Sequence, residues 1–444
     1  MNEPVEELAF VREFPEATEV LLHGVIQPGN DLWDATFFCG SCAVIRRAPL
    51  EEVGGIAVET VTEDAHTALK MQRRGWSTAY LDVPQAAGLA TESLSAHVGQ
   101  RIRWARGMAQ IFRTDNPVLG RGLRWHQRLC YTSAMLYFFY GVPRLVFLLA
   151  PLSFLVFDLQ ILNATPYLVL AYAFPHLLHS ITTNSRLQGR FRASLWSEVY
   201  EVILATYIIL PTTLALIAPK LGSFNVTAKG SVVDRDWFDG KIARPYLVLA
   251  LINAVGIGFG LYRAYAGHPN VDVIGFNIAW CTYNLIILFA AVAVAWETRQ
   301  RRDNHRVEMR LPALLRARGR AMSTQTLDIA LGGVGVTAPA DLDIAVGESV
   351  AIALDVDGDY VSAQARVASL GSGRLGLAFD GLDIEAETGI VRAGFSRASS
   401  WTSWTDGRPE DRPLRSLGQV SSHAAGAALR LAGSAFRRSP EASS

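Results

Sequence analysis

Four stretches of the chain are almost uninterruptedly apolar, at about 131–157, 162–182, 245–262 and 272–296, and each is long enough to cross a bilayer as a helix. A fifth, 195–217, is equally apolar but opens with Glu198 and Glu201. The charges around it decide its place. Arg186, Arg190 and Arg192 precede it, and Lys220, Lys229, Arg235 and Lys241 follow it. A fifth crossing would put one of these basic loops outside, against the positive-inside tendency, whereas a helix lying at the interface keeps both inside. The pattern therefore predicts four spans and one interfacial helix, with the regions before and after them on the cytoplasmic side.

The flanking regions follow other periods. Residues 1–127 read as a soluble α/β region, with alternation in FFCGSCAVIRR, a strand-like STAYLDVP, and a helix from Asp64 to Arg74 that Thr62 would cap and Gly75 would end. After Trp296 a basic linker, ETRQRRDNHRVEMR, leads into a glycine- and β-branched-rich region. Its strand-like runs VAIALDVDG and RLGLAFDG predict a small antiparallel barrel over 299–397. The tail, 398–444, starts polar and turns into a basic amphipathic helix near 420–438, suited to rest on the membrane or on the soluble region. Domains are thus expected at 1–127, 128–298 and 299–397, with a long loop at about 219–238 after the interfacial helix.

Composition agrees with a multi-pass membrane protein: 50% of residues are hydrophobic and 18% charged. With 41 basic and 41 acidic residues nothing global points to a nucleic-acid partner. Four cysteines make no disulfide framework, and the Cys39/Cys42 pair lacks a second pair at zinc spacing. The acidic N-terminus has no secretory pattern, so insertion is expected through internal segments.

Four clusters have chemical potential, and each also has a plainer reading. Thr62, Glu63 and Asp64 fall at a helix start, where free amides and the helix dipole keep a carboxylate ionised, as a base requires; such residues also serve as ordinary caps. Gln100, Arg103 and Trp104, in QRIRW, share a helix face on which an indole can stack on a sugar and an arginine can meet a phosphate; a tryptophan there also suits a core. FNVTAKG, with Phe224, Val226, Thr227 and Lys229, could close over a nucleotide or anchor a loop at the membrane surface. Arg302 and Arg306 form an RxxxR on the linker ahead of DIALGG, which carries Asp328 and Gly333. Two guanidinium groups can pair with phosphates and stack on guanine, although juxtamembrane arginines are also topology signals.

In this order, FFCGS, TED, QRIRW, FNVTAKG, RxxxR and DIALGG resemble the bacterial cellulose synthase catalytic subunit from about residue 30 to the end. The resemblance implies a multi-domain protein of the bacterial inner membrane: a partial α/β glycosyltransferase domain of GT-A type, a transmembrane helical bundle and a PilZ barrel. It implies that Asp64, within Thr62–Asp64, is the base that deprotonates the 4-hydroxyl of a β-1,4-glucan attacking UDP-glucose. Gln100 and Trp104 would hold the acceptor, with Arg103 near the diphosphate and Cys39 and Gly40 lining the acceptor side. Phe224, Val226, Thr227 and Lys229 would form a gating loop, and Arg302, Arg306, Asp328 and Gly333 would bind cyclic di-GMP. Lipid and a periplasmic partner subunit would complete the assembly.

The sequence departs from the family at two points. Ala330 stands where the PilZ turn usually has serine, and no DxD triplet for Mg²⁺ occurs before residue 64. The family's nucleotide-binding half and first four spans are expected to lie outside this sequence, so the resemblance does not extend to activity of this chain alone. Glu92, just ahead of QRIRW, is placed to pair with an arginine of the linker and hold the gating loop until cyclic di-GMP draws that arginine away. Two alternatives stay open: a related processive family 2 synthase, and a non-catalytic membrane protein that binds cyclic di-GMP.

Overall fold

A computed structural model describes residues 22–40, 42–82, 91, 93–161, 164–221, 235–297, 306–339, 343–371, 373–396 and 410–436. These residues fall into two compact units, a helical one (22–297 and 410–436) and a barrel (306–396).

The helical unit begins with a π-helical turn, Leu22–Ile26, and the short helices α1 (Gln27–Asp31) and α2 (Arg47–Glu52). Then come α3 (Glu63–Arg73) and α4 (Leu94–Thr114), the helices that carry TED and QRIRW. The strands expected in FFCGSCAVIRR and STAYLDVP are not formed: among the described residues before 127 no ladder pairing occurs. Side chains meet those backbone groups instead. Gln27 Nε2 donates to Phe37 O at 2.5 Å, while Asp34 and Asp31 accept from the amides of Thr78 and Tyr80 at 2.9 and 2.7 Å.

The first predicted span is a bent pair, α5 (Trp125–Leu136) with a 3₁₀ turn at Tyr137–Phe139 and α6 (Gly141–Phe157), turning by 44°. Gly141 and Pro143 stand at the break, and a proline there has no N–H to give the preceding turn. Helix α7 (Pro166–Gln188) runs six residues past the expected end, and its large apolar side chains, among them Tyr167, Tyr172 and Phe174, are exposed. Helices α8 (Ser194–Ile217), α9 (Gly240–Tyr265) and α10 (Val271–Val294) are each long and apolar enough to cross a membrane.

By that measure α8, expected at the interface, qualifies as well as α9 and α10. Its neighbours are informative. Val199, Val202 and Ile203 of α8 share a core with Leu94 and Val98 of α4 and with Leu288 and Ala291 of α10. Glu198 and Glu201, which set this segment apart in the sequence, both pair with Arg144 of α6, and Glu201 also meets Arg192 at 3.0 Å. Between α9 and α10 the buried Asn284 donates to Asn253 Oδ1 at 3.1 Å and to Leu148 O of α6 at 3.0 Å, a polar tie among three apolar helices. The two-residue strands β1 (Trp237–Phe238) and β2 (Trp296–Glu297) pair antiparallel beneath them.

In the barrel, β3 (Val307–Glu308) lies on β5 (Arg320–Ala330), while β5, β4 (Pro312–Ala317), β7 (Ser349–Val356), β8 (Asp359–Gly371), β9 (Arg374–Phe379) and β6 (Gly333–Thr337) close on one another. Alternation fills the interior, as Val350, Ile352 and Leu354 of β7 face inward against Leu315 and Val367. Helix α11 (Ile384–Gly394) covers the barrel with Ile390 and Ala393. The amphipathic tail helix, α12 (Pro413–Phe436), belongs to the helical unit and starts seven residues earlier than expected. Val420, Ala424 and Ala427 enter the core of α8 and α10, His423 meets Trp196 edge-on, and Asp411 ahead of the helix accepts from Ser194 Oγ at 2.6 Å.

Candidate active and ligand-binding sites

The TED carboxylate and the FFCGS segment meet directly. The Gly40 amide donates to Asp64 Oδ2 at 2.8 Å, and the Ala65 amide donates to Oδ1 at the same distance. Gly40 has φ +77°, which glycine adopts without strain, and this turns its N–H toward the helix start. Cys39 is held beside it by Gln27, whose Nε2 donates to Sγ at 3.3 Å. Burial pushes the Asp64 carboxyl above its ordinary value, and the amides of Ala65 and Gly40 only partly offset this. Desolvation, helped by the charge of Glu63, therefore outweighs the hydrogen bonds at the helix start, leaving a more basic carboxylate. Glu63 is exposed.

Thr62 sits at the cap position, but its side chain does not cap; it is pressed against Gly107 of α4. A Cβ at Gly107 would lie 2.4 Å from Thr62 Oγ1 and 2.8 Å from its backbone nitrogen. Gly107→Ala is therefore expected to lower stability by about 1–3 kcal/mol, read as a fall in thermal unfolding temperature of the detergent-solubilised chain. An unchanged transition would contradict this close approach.

Other contacts tie α4 to the segment ahead of α3 and to the end of α8. Gln110 Oε1 accepts from the Val61 amide at 3.1 Å, while its Nε2 donates to Pro219 O at 2.6 Å. Arg106 and Arg113 donate to Leu221 O and Leu216 O at 2.5 and 3.1 Å. His66, buried on α3, lies 3.1 Å from Thr60 Oγ1 and 3.5 Å from Asp115 Oδ2, and Asp115 is paired with Arg73 at 2.8 Å. Burial raises Asp115, but the bond from His66 and the charge of Arg73 outweigh it, leaving Asp115 below its usual range.

On α4, Gln100 is buried while Arg103 and Trp104 are half-buried. A residue not singled out in the sequence, Arg101, stacks its guanidinium 4.4 Å from the Trp104 ring centroid, fixing the indole from its own helix. The arginines of QRIRW are thus divided: Arg101 is buried against Trp104, and Arg103 is the more accessible one. Phe224, Val226, Thr227, Lys229, Arg302 and Glu92 lie outside the described residues.

In the barrel, Arg306 and Asp328 come together at 2.8 Å. A register shift between Thr326 and Asp328 re-aims the aspartate, which is 8% exposed. Arg374, opening β9, pairs with its other oxygen. The sequence reading missed Arg374, since one arginine at a strand start carries no signal of its own. Asp328 and Arg374 line a cavity of about 350 Å³ with Glu308, Met309, Arg310 and Leu327. Gly333 acts by packing: a Cβ there would lie 2.2 Å from Leu377 O. Among the described residues no three His, Cys, Asp or Glu side chains form a group able to hold a metal ion.

Residues 12–182 match the model of glycosyl transferase family group 2, and residues 300–395 match that of the PilZ domain. The class is therefore a family 2 glycosyltransferase region joined to a PilZ domain. The chain is 53% identical over 405 residues to the UDP-forming cellulose synthase catalytic subunit of Pseudomonas fluorescens (strain SBW25), covering 90% of this chain and 55% of that protein. Against the corresponding subunit of Komagataeibacter sucrofermentans identity is 48% over 411 residues, with 89% and 54% covered. The chain is homologous to these cellulose synthase catalytic subunits over nine-tenths of its own length, and spans about half the length of the curated relatives it matches. Among solved structures, the PilZ domain of CeSA from a cellulose-synthesizing bacterium is 23% identical with TM-score 0.19, over 20% of this chain and 92% of that one.

Proposed function

We propose that this chain provides the acceptor-side machinery and the sensor of a processive cellulose synthase in the bacterial inner membrane. The observation that carries the reading is Asp64, a carboxylate raised by burial and aimed by the Gly40 amide, on a helix packed against the one bearing Gln100 and Trp104. In this reading Asp64 takes the proton from the 4-hydroxyl of the glucan end. That oxygen attacks C1 of UDP-glucose, the bond from C1 to the diphosphate oxygen breaks with inversion, and UDP leaves. Trp104, braced by Arg101, offers a flat apolar face for the acceptor sugar, and Arg103 a charge for the diphosphate. Mg²⁺, expected of the family, finds no ligand group among the described residues, and no step is assigned to it.

The bent α5/α6 pair, α9 and α10, long and apolar enough to do so, would cross the membrane together with α7, which meets that measure less well but has an exposed apolar surface, and α8, packed on α4, would lie along its inner face. The glucan would leave between these helices toward a periplasmic partner subunit. Cyclic di-GMP would bind through Arg302, Arg306, Asp328 and Gly333. The test is calorimetry of the purified chain with cyclic di-GMP against an Arg302→Ala, Arg306→Ala double variant. Binding lost in the variant supports the reading; no binding by either favours a different family 2 synthase or a non-sensing membrane protein.

A further inference from the structure

Asp64 is the second residue of α3, and the Thr62 side chain ahead of it makes no cap bond to the helix. Placing that stretch of backbone falls to α4. Gly107 admits Thr62 against the helix, and Gln110 Oε1 accepts the Val61 amide at 3.1 Å. Gln100, Arg103, Gly107 and Gln110 follow one another at intervals of three, four and three residues. One stripe of α4 therefore bears both the side chains assigned to the substrates and the seat of the base.

Gln110 is 3% exposed, and both ends of its amide are in use. Its Nε2 donates to Pro219 O at 2.6 Å, just past the end of α8, which orients the amide so that Oε1 faces Val61. Arg106 and Arg113 donate to Leu221 O and Leu216 O, so α4 grips the end of α8 at Leu216, Pro219 and Leu221. The helix is held at its start as well. There Ser93 Oγ accepts the Ala96 amide at 3.2 Å, and Glu297 Oε1 of β2 accepts the Leu94 amide at 2.6 Å. Fastened at both ends, α4 is a firm support, and Gln110 hydrogen-bonds the approach to Asp64 onto it.

We propose that Gln110 is a positioning residue for the transfer step, setting the distance between the Asp64 carboxylate and the sugar hydroxyl held at Gln100 and Trp104. The inference rests on the reading of Asp64 as the base. A general base works only within hydrogen-bond reach of the proton it takes, and a displacement of about 1 Å can cost about a hundredfold in rate. Without the Gln110 amide, the Val61 N–H and Pro219 O lose their shared partner, and the backbone that delivers Asp64 relaxes away from α4. Gln110 itself is too buried to touch either substrate, so substrate affinity should hold.

The test is a double-mutant cycle in membranes carrying the whole synthase, pairing Asp64→Asn with Gln110→Met, which fills a similar volume without either bond. Gln110→Met alone is expected to lower kcat for glucan synthesis about 10- to 100-fold, with KM for UDP-glucose within about twofold of wild type. Added to Asp64→Asn it should cost less than about twofold more, because no base is left to aim. Gln110→Glu, which keeps an oxygen for the Val61 amide, should retain more turnover than Gln110→Met, and carries the cycle alone if the latter does not fold. Full turnover in Gln110→Met, or the same loss with and without the Asp64 carboxylate, overturns the positioning role alone; the second result marks damage to the fold. Wild-type turnover in Asp64→Asn overturns the reading of Asp64 as base, and this inference with it.

Discussion

Asp64→Asn is expected to reduce glucan synthesis from UDP-glucose by about 10²- to 10⁴-fold, the range associated with loss of a positioned general base. The substitution isolates chemistry from architecture. Asn Oδ1 can still accept the Gly40 amide, so the turn at Cys39–Gly40 and the start of α3 keep their tie, at the loss of the bond from the Ala65 amide, about 1 kcal/mol. Thermal stability and cyclic di-GMP binding should therefore stay near wild type while turnover collapses, measured as endoglucanase-sensitive product in membranes carrying the whole synthase. Burial raises Asp64, so the acid limb of the wild-type pH profile should lie above the ordinary value of an exposed aspartate. The rate is present above that value and lost as pH falls through it, because only the ionised carboxylate accepts the proton. Turnover retained in Asp64→Asn would remove Asp64 from the reaction.

Asp328→Ala should lower cyclic di-GMP affinity by about tenfold to a hundredfold, the worth of one or two hydrogen bonds to a charged group. The aspartate stands between Arg306 and Arg374, and removing it leaves two guanidinium groups without the carboxylate they share. Both arginines are partly exposed, so water screens much of the repulsion, and the loss of barrel stability should be modest, about 1–2 kcal/mol. Calorimetry beside thermal unfolding separates the effects: weak binding by a folded barrel supports a direct contact, whereas full affinity would place the ligand elsewhere. Arg374→Ala, measured alongside, reports whether this third arginine belongs to the site.

The sequence made the helices legible because burial in an apolar phase leaves long uninterrupted runs, and it made the barrel legible because alternation survives in strands such as Val350 to Val356. It misread the FFCGSCAVIRR and STAYLDVP segments, where period-two alternation is present but backbone groups are met by Gln27, Asp31 and Asp34. It placed α8 at the interface from the basic residues on both sides, whereas by length and composition the helix qualifies to cross a membrane, and its two glutamates are paired with Arg144 and Arg192. At the sites, Asp64 could be found from its motif and Gly40 from another, but not that one donates to the other. Gln110, Arg101, Arg374 and Glu297 were illegible for a common reason: their partners are set by tertiary packing, and none belongs to a local pattern.

The chain leaves the helical unit at Glu297 and returns to it at Asp411, which fastens α12 beside Ser194. The barrel is therefore an inserted cassette rather than an appendage. An exchange of cassettes between relatives would have to preserve two splice points, the carboxylate before it and the aspartate after it, while the barrel in between could change freely.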